Sequence, residues 1–273
     1  MSPRKKRASS KLTVPEKINR AELAGRRPDY GNWVSKNLVY WPLAIGIVFA
    51  LLAFLYLALI IVAIVFFLAS LYFAYARYKF SPRGGDVQTK IRGLVLSNLR
   101  WEGRGRALDI GCGNGALTIM LAKKFPDSQI QGIDFWGKNW EYSKDACEDN
   151  ARMEGVMDRI TFQKASASSL PFTDEYFDAV VSNLTFHEVG DAPDKRQLLK
   201  EALRVTKKGG VFVFQDLFLM KRVYGDTDDL VRTMESWGVK RVEFVKTRDE
   251  PFIPQLLKLP FMVGTLGIIT GEK

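Results

Sequence analysis

Two hydrophobic rhythms divide this 273-residue chain. Residues 38–76, LVYWPLAIGIVFALLAFLYLALIIVAIVFFLASLYFAYA, hold no charged side chain, whereas from about Gly84 short apolar runs alternate with amphipathic stretches. ALDIG (107–111) predicts a buried strand and ALTIMLAKKF (116–125) a helix. QIQGIDF (129–135) predicts a second strand, followed by a helix from about Lys138 to Glu154. RITFQKA (159–165), FDAVVSN (177–183) and GGVFVFQD (209–216) predict three more strands. Between the last two, residues 194–206 place Leu198, Leu199, Ala202, Leu203 and Val205 at helical spacing. A helix near 227–236 and strands at 240–247 and 263–270 complete the pattern. Such alternation predicts an α/β fold, a doubly wound, Rossmann-like, seven-stranded sheet with its ligand at the carboxyl ends of the strands.

The uncharged run has the other rhythm. A soluble core helix is not built this way, so the run predicts membrane insertion. Ala74-Tyr75-Ala76 resembles a signal-peptidase site, but the apolar core is far longer than the roughly 7–15 residues of a signal peptide. One helix of this length would measure about 58 Å, twice the hydrocarbon thickness. Tyrosine and tryptophan fall in three groups: Tyr40 with Trp41, Tyr56, and Tyr72 with Tyr75. Aromatic belts mark interfaces, and three belts favour a helical hairpin of two spans. A single long tilted helix is the alternative, because no Gly, Pro or Asn lies near Tyr56 to make a turn.

Charge sharpens this picture. The chain carries a formal net charge of +10. Residues 1–37 contribute ten Lys/Arg against three Asp/Glu, residues 77–106 eight against two, and residues 107–273 are mildly acidic, 22 against 25. The basic excess therefore flanks the apolar run, which favours membrane lipids over nucleic acid as partner. Four segments follow: a basic flexible cytoplasmic tail (1–37) able to lie on anionic lipid, the transmembrane segment (38–76), a basic juxtamembrane linker with an N-terminal helix (77–106), and the folded domain (107–273). The domain is expected to face the cytoplasm. Two cysteines and one histidine provide neither a disulfide framework nor metal-ligand spacing, so no metal is expected.

The chemistry concentrates at ALDIGCGNGALT (107–118), where Gly111, Gly113 and Gly115 alternate behind a single acid, Asp109. Glycine at this density predicts a loop whose backbone lies close to a ligand. Gly111-x-Gly113-x-x-Ala116, with Asp134 about 20 residues on, also fits a loose dinucleotide fingerprint. Asp109 decides between ligands: a pyrophosphate at a helix N-terminus is disfavoured by a nearby carboxylate, whereas an ammonium group is favoured. S-adenosylmethionine carries that ammonium, together with a ribose diol that suits Asp134. An NAD(P)-dependent oxidoreductase is the weaker alternative.

LDIGCGNG, GIDFW, ASASSLPF, EYFDAVVSNLTFHEV and EALRVTKKGGVFVFQD, in this order and spacing, resemble the class I S-adenosylmethionine-dependent methyltransferases. The similarity is greatest to the small-molecule and lipid branch that includes the ubiquinone/menaquinone enzymes, and it covers about residues 90–273. It implies that the loop Gly111, Cys112, Gly113, Asn114 and Gly115 lies against the methionine moiety of the cofactor. Asp109 would serve the amino group, Asp134 the ribose hydroxyls and Phe135 the adenine ring. Asn183 and Leu184 would sit beside the transferable methyl. The family commonly has an acid ahead of the LPF block to accept from the adenine amino group; here Ser166, followed by Ala167, holds that place. A hydroxyl is a weaker acceptor, and this departure keeps open a non-catalytic cofactor-binding membrane protein.

Methyl transfer from a sulfonium is an in-line displacement, in which the protein positions the nucleophile and excludes water. His187, the only histidine, follows the fourth strand and is the candidate base, with Glu188 and Asp216 as weaker ones. PFIPQLLKLPFM (251–262) is apolar and proline-bounded, and predicts a lid or a lipid-dipping segment. A small or lipid methyl acceptor is the expected substrate. NLTF at 183–186 lacks the Asn-Pro-Pro-Tyr motif of amino-group methyltransferases.

Overall fold

The computed structural model describes residues 25–137 and 142–273. The amino-terminal tail up to residue 24 and the predicted helix start at Lys138 lie outside the described residues. The seven strands are β1 (Gly105–Ile110), β2 (Ser128–Asp134), β3 (Ile160–Lys164), β4 (Phe177–Asn183), β5 (Thr206–Asp216), β6 (Arg241–Lys246) and β7 (Gly267–Glu272). They form one sheet in the order β3-β2-β1-β4-β5-β7-β6. The first five run parallel, while β7 lies antiparallel between β5 and β6. The order reverses direction beside β1, and the crevice at that switch point is where an open α/β sheet binds its ligand.

Alternation along each central strand sends side chains into two cores. Leu108, Ile110, Val180, Phe212 and Phe214 join one buried cluster; Ala107, Ala179, Val181 and Val213 join the other. The helices that cover them bury the faces their spacing predicts. Arg196–Val205 buries Leu198, Leu199, Ala202, Leu203 and Val205. The last strand begins at Gly267 rather than at residue 263, because Val263–Leu266 turn instead: Leu266 N–H donates to the Val263 carbonyl, and Gly264 N–H to that of Leu259.

Residues 38–76 form two helices, α1 (Lys36–Leu52) and α2 (Leu59–Phe80). Gly46 lets them approach, since a β-carbon there would come 2.7 Å from the Phe67 ring. The Ser70 hydroxyl donates to the Val39 carbonyl at 2.9 Å, and the rings of Phe49 and Phe66 stack at 6.1 Å. Small residues and an interhelical hydrogen bond are what hold helices together where apolar burial is not the driving force. The chain reverses through residues 53–58 by successive short-range bonds, such as Leu55 N–H to the Leu52 carbonyl, without a turn-forming residue. Phe54 and Leu55 at this tip are 89% and 86% exposed. Among the described residues α2 is the one helix long and apolar enough to cross a membrane; α1 is apolar but shorter.

The hairpin base is joined to the sheet domain. Val34, Ala76 and Phe80 pack with Val87 and Ile91 of α3 (Val87–Asn98) and with Ile253, Leu257, Val263 and Leu266 in a third buried cluster. A strap ahead of α1 then runs to the far side of the crevice. The Asp29 N–H donates to Asn150 Oδ1 at 2.9 Å, Asn150 Nδ2 returns a bond to the Asp29 carbonyl at 2.8 Å, and the Tyr30 hydroxyl donates to Glu154 at 3.0 Å. Asn150 and its neighbours belong to α5 (Lys144–Met153), which follows α4 (Ala116–Lys124) in the chain and is capped by the Ser143 hydroxyl.

Candidate functional site

The glycine loop closes the carboxyl end of β1. Gly111, Gly113 and Gly115 all have φ between +57° and +82°, the region that L side chains avoid. At Gly111 a β-carbon would meet Thr185 Oγ1 at 1.9 Å, so this glycine makes room for the protein's own post-β4 loop. The Gly111 and Cys112 N–H groups both donate to the Ile133 carbonyl, which fixes the loop to the neighbouring strand. The loop's remaining partners were not foreseen from sequence. Trp136 Nε1 and the Cys147 thiol both donate to the Gly113 carbonyl at 2.9 Å. Cys112 is buried beside Cys147, and burial followed by that neighbour pushes its thiol well above the ordinary range, so it stays neutral.

Asp109 is buried beneath the loop, where Thr118 donates to its Oδ2 at 2.6 Å. Its other oxygen has no hydrogen-bond partner. Burial pushes its carboxyl up to about 7, with the Thr118 bond opposing and the nearby Asp134 charge adding. A buried carboxylate oxygen left without a donor costs free energy that a cationic ligand would recover. Asp134 accepts from Gly113 N–H at 2.9 Å and Trp136 N–H at 2.8 Å, one on each oxygen, leaving further lone pairs for hydroxyl donors. Phe135 is 63% exposed rather than packed at the strand end, and its ring lies 5.1 Å from Lys164 Nζ. Asn114 is spent on structure: its side chain accepts from Ser143 N–H and donates to the Asp29 carbonyl.

Across the crevice, Asn183 Oδ1 is buried without a partner, and Leu184 is held at φ +57°. A left-handed leucine costs about 1–3 kcal/mol and persists only where its surroundings over-determine it. Ser166 bonds Ser168 at 2.8 Å, and both hydroxyls point to Asp191, at 3.3 and 2.7 Å. A carboxylate from a loop 25 residues away thus stands where the sequence offers only a hydroxyl.

His187 is the centre of a charged triplet. Its Nδ1 lies 2.6 Å from Asp216 Oδ1 and its Nε2 3.2 Å from Glu188 Oε1. Asp216, fully buried at the end of β5, also accepts from the N–H groups of Phe186 and Leu217. Burial pulls His187 down, but the hydrogen bonds to Asp216 and Glu188 outweigh it and lift it to about 9. Arg92, a residue sequence reasoning did not single out, is buried on α3, with its guanidinium 5.1 Å from the Trp33 ring.

The candidate residues border one cavity of about 1000 Å³ except Gly115, which instead starts α4, and Asp216, which is buried behind His187. Arg92, Asp191 and Glu188 line it too. Its size is at the upper end of ligand pockets, roughly 300–1,000 Å³, and its lining includes the apolar side chains of Leu38, Phe73, Phe261 and Met262.

Residues 108–214 match the family model described as a methyltransferase domain. The 27-O-demethylrifamycin SV methyltransferase of Amycolatopsis mediterranei is 31% identical over 150 residues, covering 55% of this chain and 52% of that protein. The ubiquinone/menaquinone biosynthesis C-methyltransferase UbiE of Geotalea daltonii is 32% identical over 137 residues, covering 49% and 55%. The chain therefore spans about half the length of these relatives. Among solved structures, geranyl diphosphate C-methyltransferase from Streptomyces coelicolor A3(2) superposes with a TM-score of 0.55 at 15% identity, over 70% of this chain and 80% of that one, which establishes the shared fold.

Proposed function

Taking residues 108–214 as a methyltransferase domain, we propose that the protein is a membrane-anchored, S-adenosylmethionine-dependent methyltransferase acting on a small, lipophilic acceptor. The observation that carries this is that Asp109 and Arg92 line the same cavity: a carboxylate with an unpartnered buried oxygen and a buried guanidinium. An α-amino acid moiety presents the complementary ammonium and carboxylate, and a pyrophosphate presents no cation for Asp109. Asp134 receives the ribose hydroxyls, Phe135 covers the adenine, and Asp191 with Ser166 accepts from the adenine amino group. When bound, S-adenosylmethionine supplies an electrophilic methyl group on a sulfonium whose sulfur keeps the electron pair of the broken C–S bond.

The chain's own part is positioning and proton transfer. Asn183 and Leu184 border the reacting region, and the strap at residues 29–34 helps keep water from it. His187, once neutral and with the Glu188 carboxylate turned away from Nε2, takes the proton of an acceptor hydroxyl there, while Asp216 holds Nδ1 and stabilises the imidazolium that forms. The anchor reading rests on the uncharged hairpin flanked by basic residues, Lys36 on one helix and Arg77 and Lys79 on the other. Positive flanks on both ends of a hairpin support a domain on the cytoplasmic side.

Calorimetric titration of the full chain in nanodiscs with S-adenosylmethionine, and with NADH in parallel, tests the reading. Selective binding of the first is expected, with Asp134→Ala and Arg92→Met each weakening it by about 1.5–3 kcal/mol, the range for hydrogen bonds to charged groups. Binding of NADH instead would refute it.

A further inference from the structure

The cavity does not stop at the polar residues. Besides the glycine loop, His187 and Leu217, its lining includes, at the hairpin end, Leu38 in the first turns of α1, Phe73 of α2, and Phe261 and Met262. Leu184 and Leu217 pack against the same buried cluster that joins the hairpin base to residues 253–266. The helical hairpin is thus a wall of the site and not merely a tether to it.

The level of this end relative to a bilayer can be read from α2. Arg77 and Lys79 in its last turn set the headgroup plane. Tyr72 lies five residues further into the helix, about 7.5 Å at 1.5 Å per residue, at the boundary of headgroups and acyl chains. At that level the Tyr72 hydroxyl donates to the Leu256 carbonyl at 2.9 Å, and its ring meets Phe261 edge-on at 5.6 Å. Leu256 and Phe261 are 56% and 63% exposed, and Leu259 beside them is exposed as well. The proline-bounded segment therefore presents apolar side chains to the acyl boundary at the place where the cavity meets the hairpin.

We propose that the methyl acceptor is a single-chain amphiphile taken laterally from the bilayer, its apolar chain lying in the seam between Leu38 and Phe73 of the hairpin and Phe261 and Met262 of the loop, and its polar head reaching His187. The inference rests on the methyltransferase reading and adds to it the class of the acceptor, its route and the residues that hold its chain. Such an acceptor has a small polar head that reaches His187 beside Leu217 and Leu184, which line the same cavity, and a chain that stays in contact with lipid.

A photoaffinity experiment tests this on the full chain in nanodiscs of phosphatidylcholine and phosphatidylglycerol. The discs are saturated with S-adenosylhomocysteine and irradiated with 4-dodecylphenol bearing a diazirine on the chain, and labelled residues are mapped by mass spectrometry. Label is expected at positions 38, 73 and 261–262, competed by excess plain 4-dodecylphenol but not by phenol. Phe261→Ser, at a position 63% exposed, should reduce labelling at positions 38 and 73 about tenfold, equivalent to about 1.4 kcal/mol, with an unchanged thermal midpoint and unchanged S-adenosylhomocysteine binding showing that the fold is kept. Label absent from the seam, or confined to outward hairpin positions such as Ile61 and Leu68 and not competed, would overturn the lateral route. Calorimetry of S-adenosylhomocysteine on the same discs separates the two readings. If it binds while the seam stays unlabelled, the route alone fails; if it does not bind, the methyltransferase reading fails.

Discussion

At pH 7 the Asp109 carboxyl of the free protein stands midway through its titration, and His187 is still protonated, because one is raised to about 7 and the other to about 9. Both folded-state values exceed the ordinary ones, so the folded protein holds protons that the unfolded chain has released. Stability from Asp109 is full below about pH 4 and is lost as pH rises to 7; that from His187 is full below about 6.5 and is lost as pH rises to 9. In a thermal unfolding series in detergent, the wild-type midpoint should therefore fall relative to Asp109→Asn as pH is raised from 5 to 8. The slope is about 1.4 kcal/mol per pH unit while the group titrates. Catalysis runs the other way. If His187 must be neutral to take a proton, the rate should climb with pH until about 9, and Asp216→Asn, which weakens the hold on Nδ1, should move that limb toward the ordinary value near 6.5. A limb that stays in place in Asp216→Asn would show that another group takes the proton. Asp109, Asp134 and His187 were legible in the sequence because each sits in a short motif at a strand end. Arg92 and Asp191 were not: Asp191 reaches Ser166 from 25 residues away and Arg92 meets Trp33 across 59, and nothing local records such contacts.

The elements were legible wherever packing enforces a period. β4 has the boundaries its alternation predicts, and β1, β2 and β3 agree to within two residues of theirs. The last strand was misjudged because residues 263–266 are as apolar as a strand but are buried in a turn against the hairpin base. The reversal at residues 53–58 likewise uses no turn residue, because two helices already paired through Gly46, Ser70 and Phe49 need little from the connection. The strap was not foreseen, since it is held by side chains far away in sequence, Glu154 and above all Asn150, which bonds Asp29 twice and the Asn114 carbonyl once. Asn150→Ala removes all three bonds, so it should destabilise the protein by about 1–3 kcal/mol and speed release of S-adenosylhomocysteine in stopped-flow displacement.

For the whole molecule, the third buried cluster has the largest effect. A chain beginning at Gly84 would retain every strand and the glycine loop, yet it would lose Trp33, Val34, Phe73 and Phe80, which line the cavity or fill the cluster beneath it. Exposed, the facing Ile91, Ile253, Leu257 and Leu266 form the kind of contiguous apolar patch that promotes association. Such a fragment is expected to aggregate and to bind S-adenosylmethionine more weakly than the full chain, as light scattering and calorimetry would show. Recovery of full affinity in a monodisperse fragment would reduce the hairpin to a tether.

Lateral entry beside Phe261, if the proposal holds, also changes what counts as substrate concentration. An acceptor reached through the plane of the bilayer is sampled in two dimensions, so the quantity that governs its capture is its mole fraction among lipids and not its amount per litre. Diluting the nanodisc or vesicle surface with inert phosphatidylcholine, at constant total 4-dodecylphenol, should slow methylation in proportion once the probe partitions fully into lipid. A rate that followed only the bulk concentration would mean that the head group arrives from water.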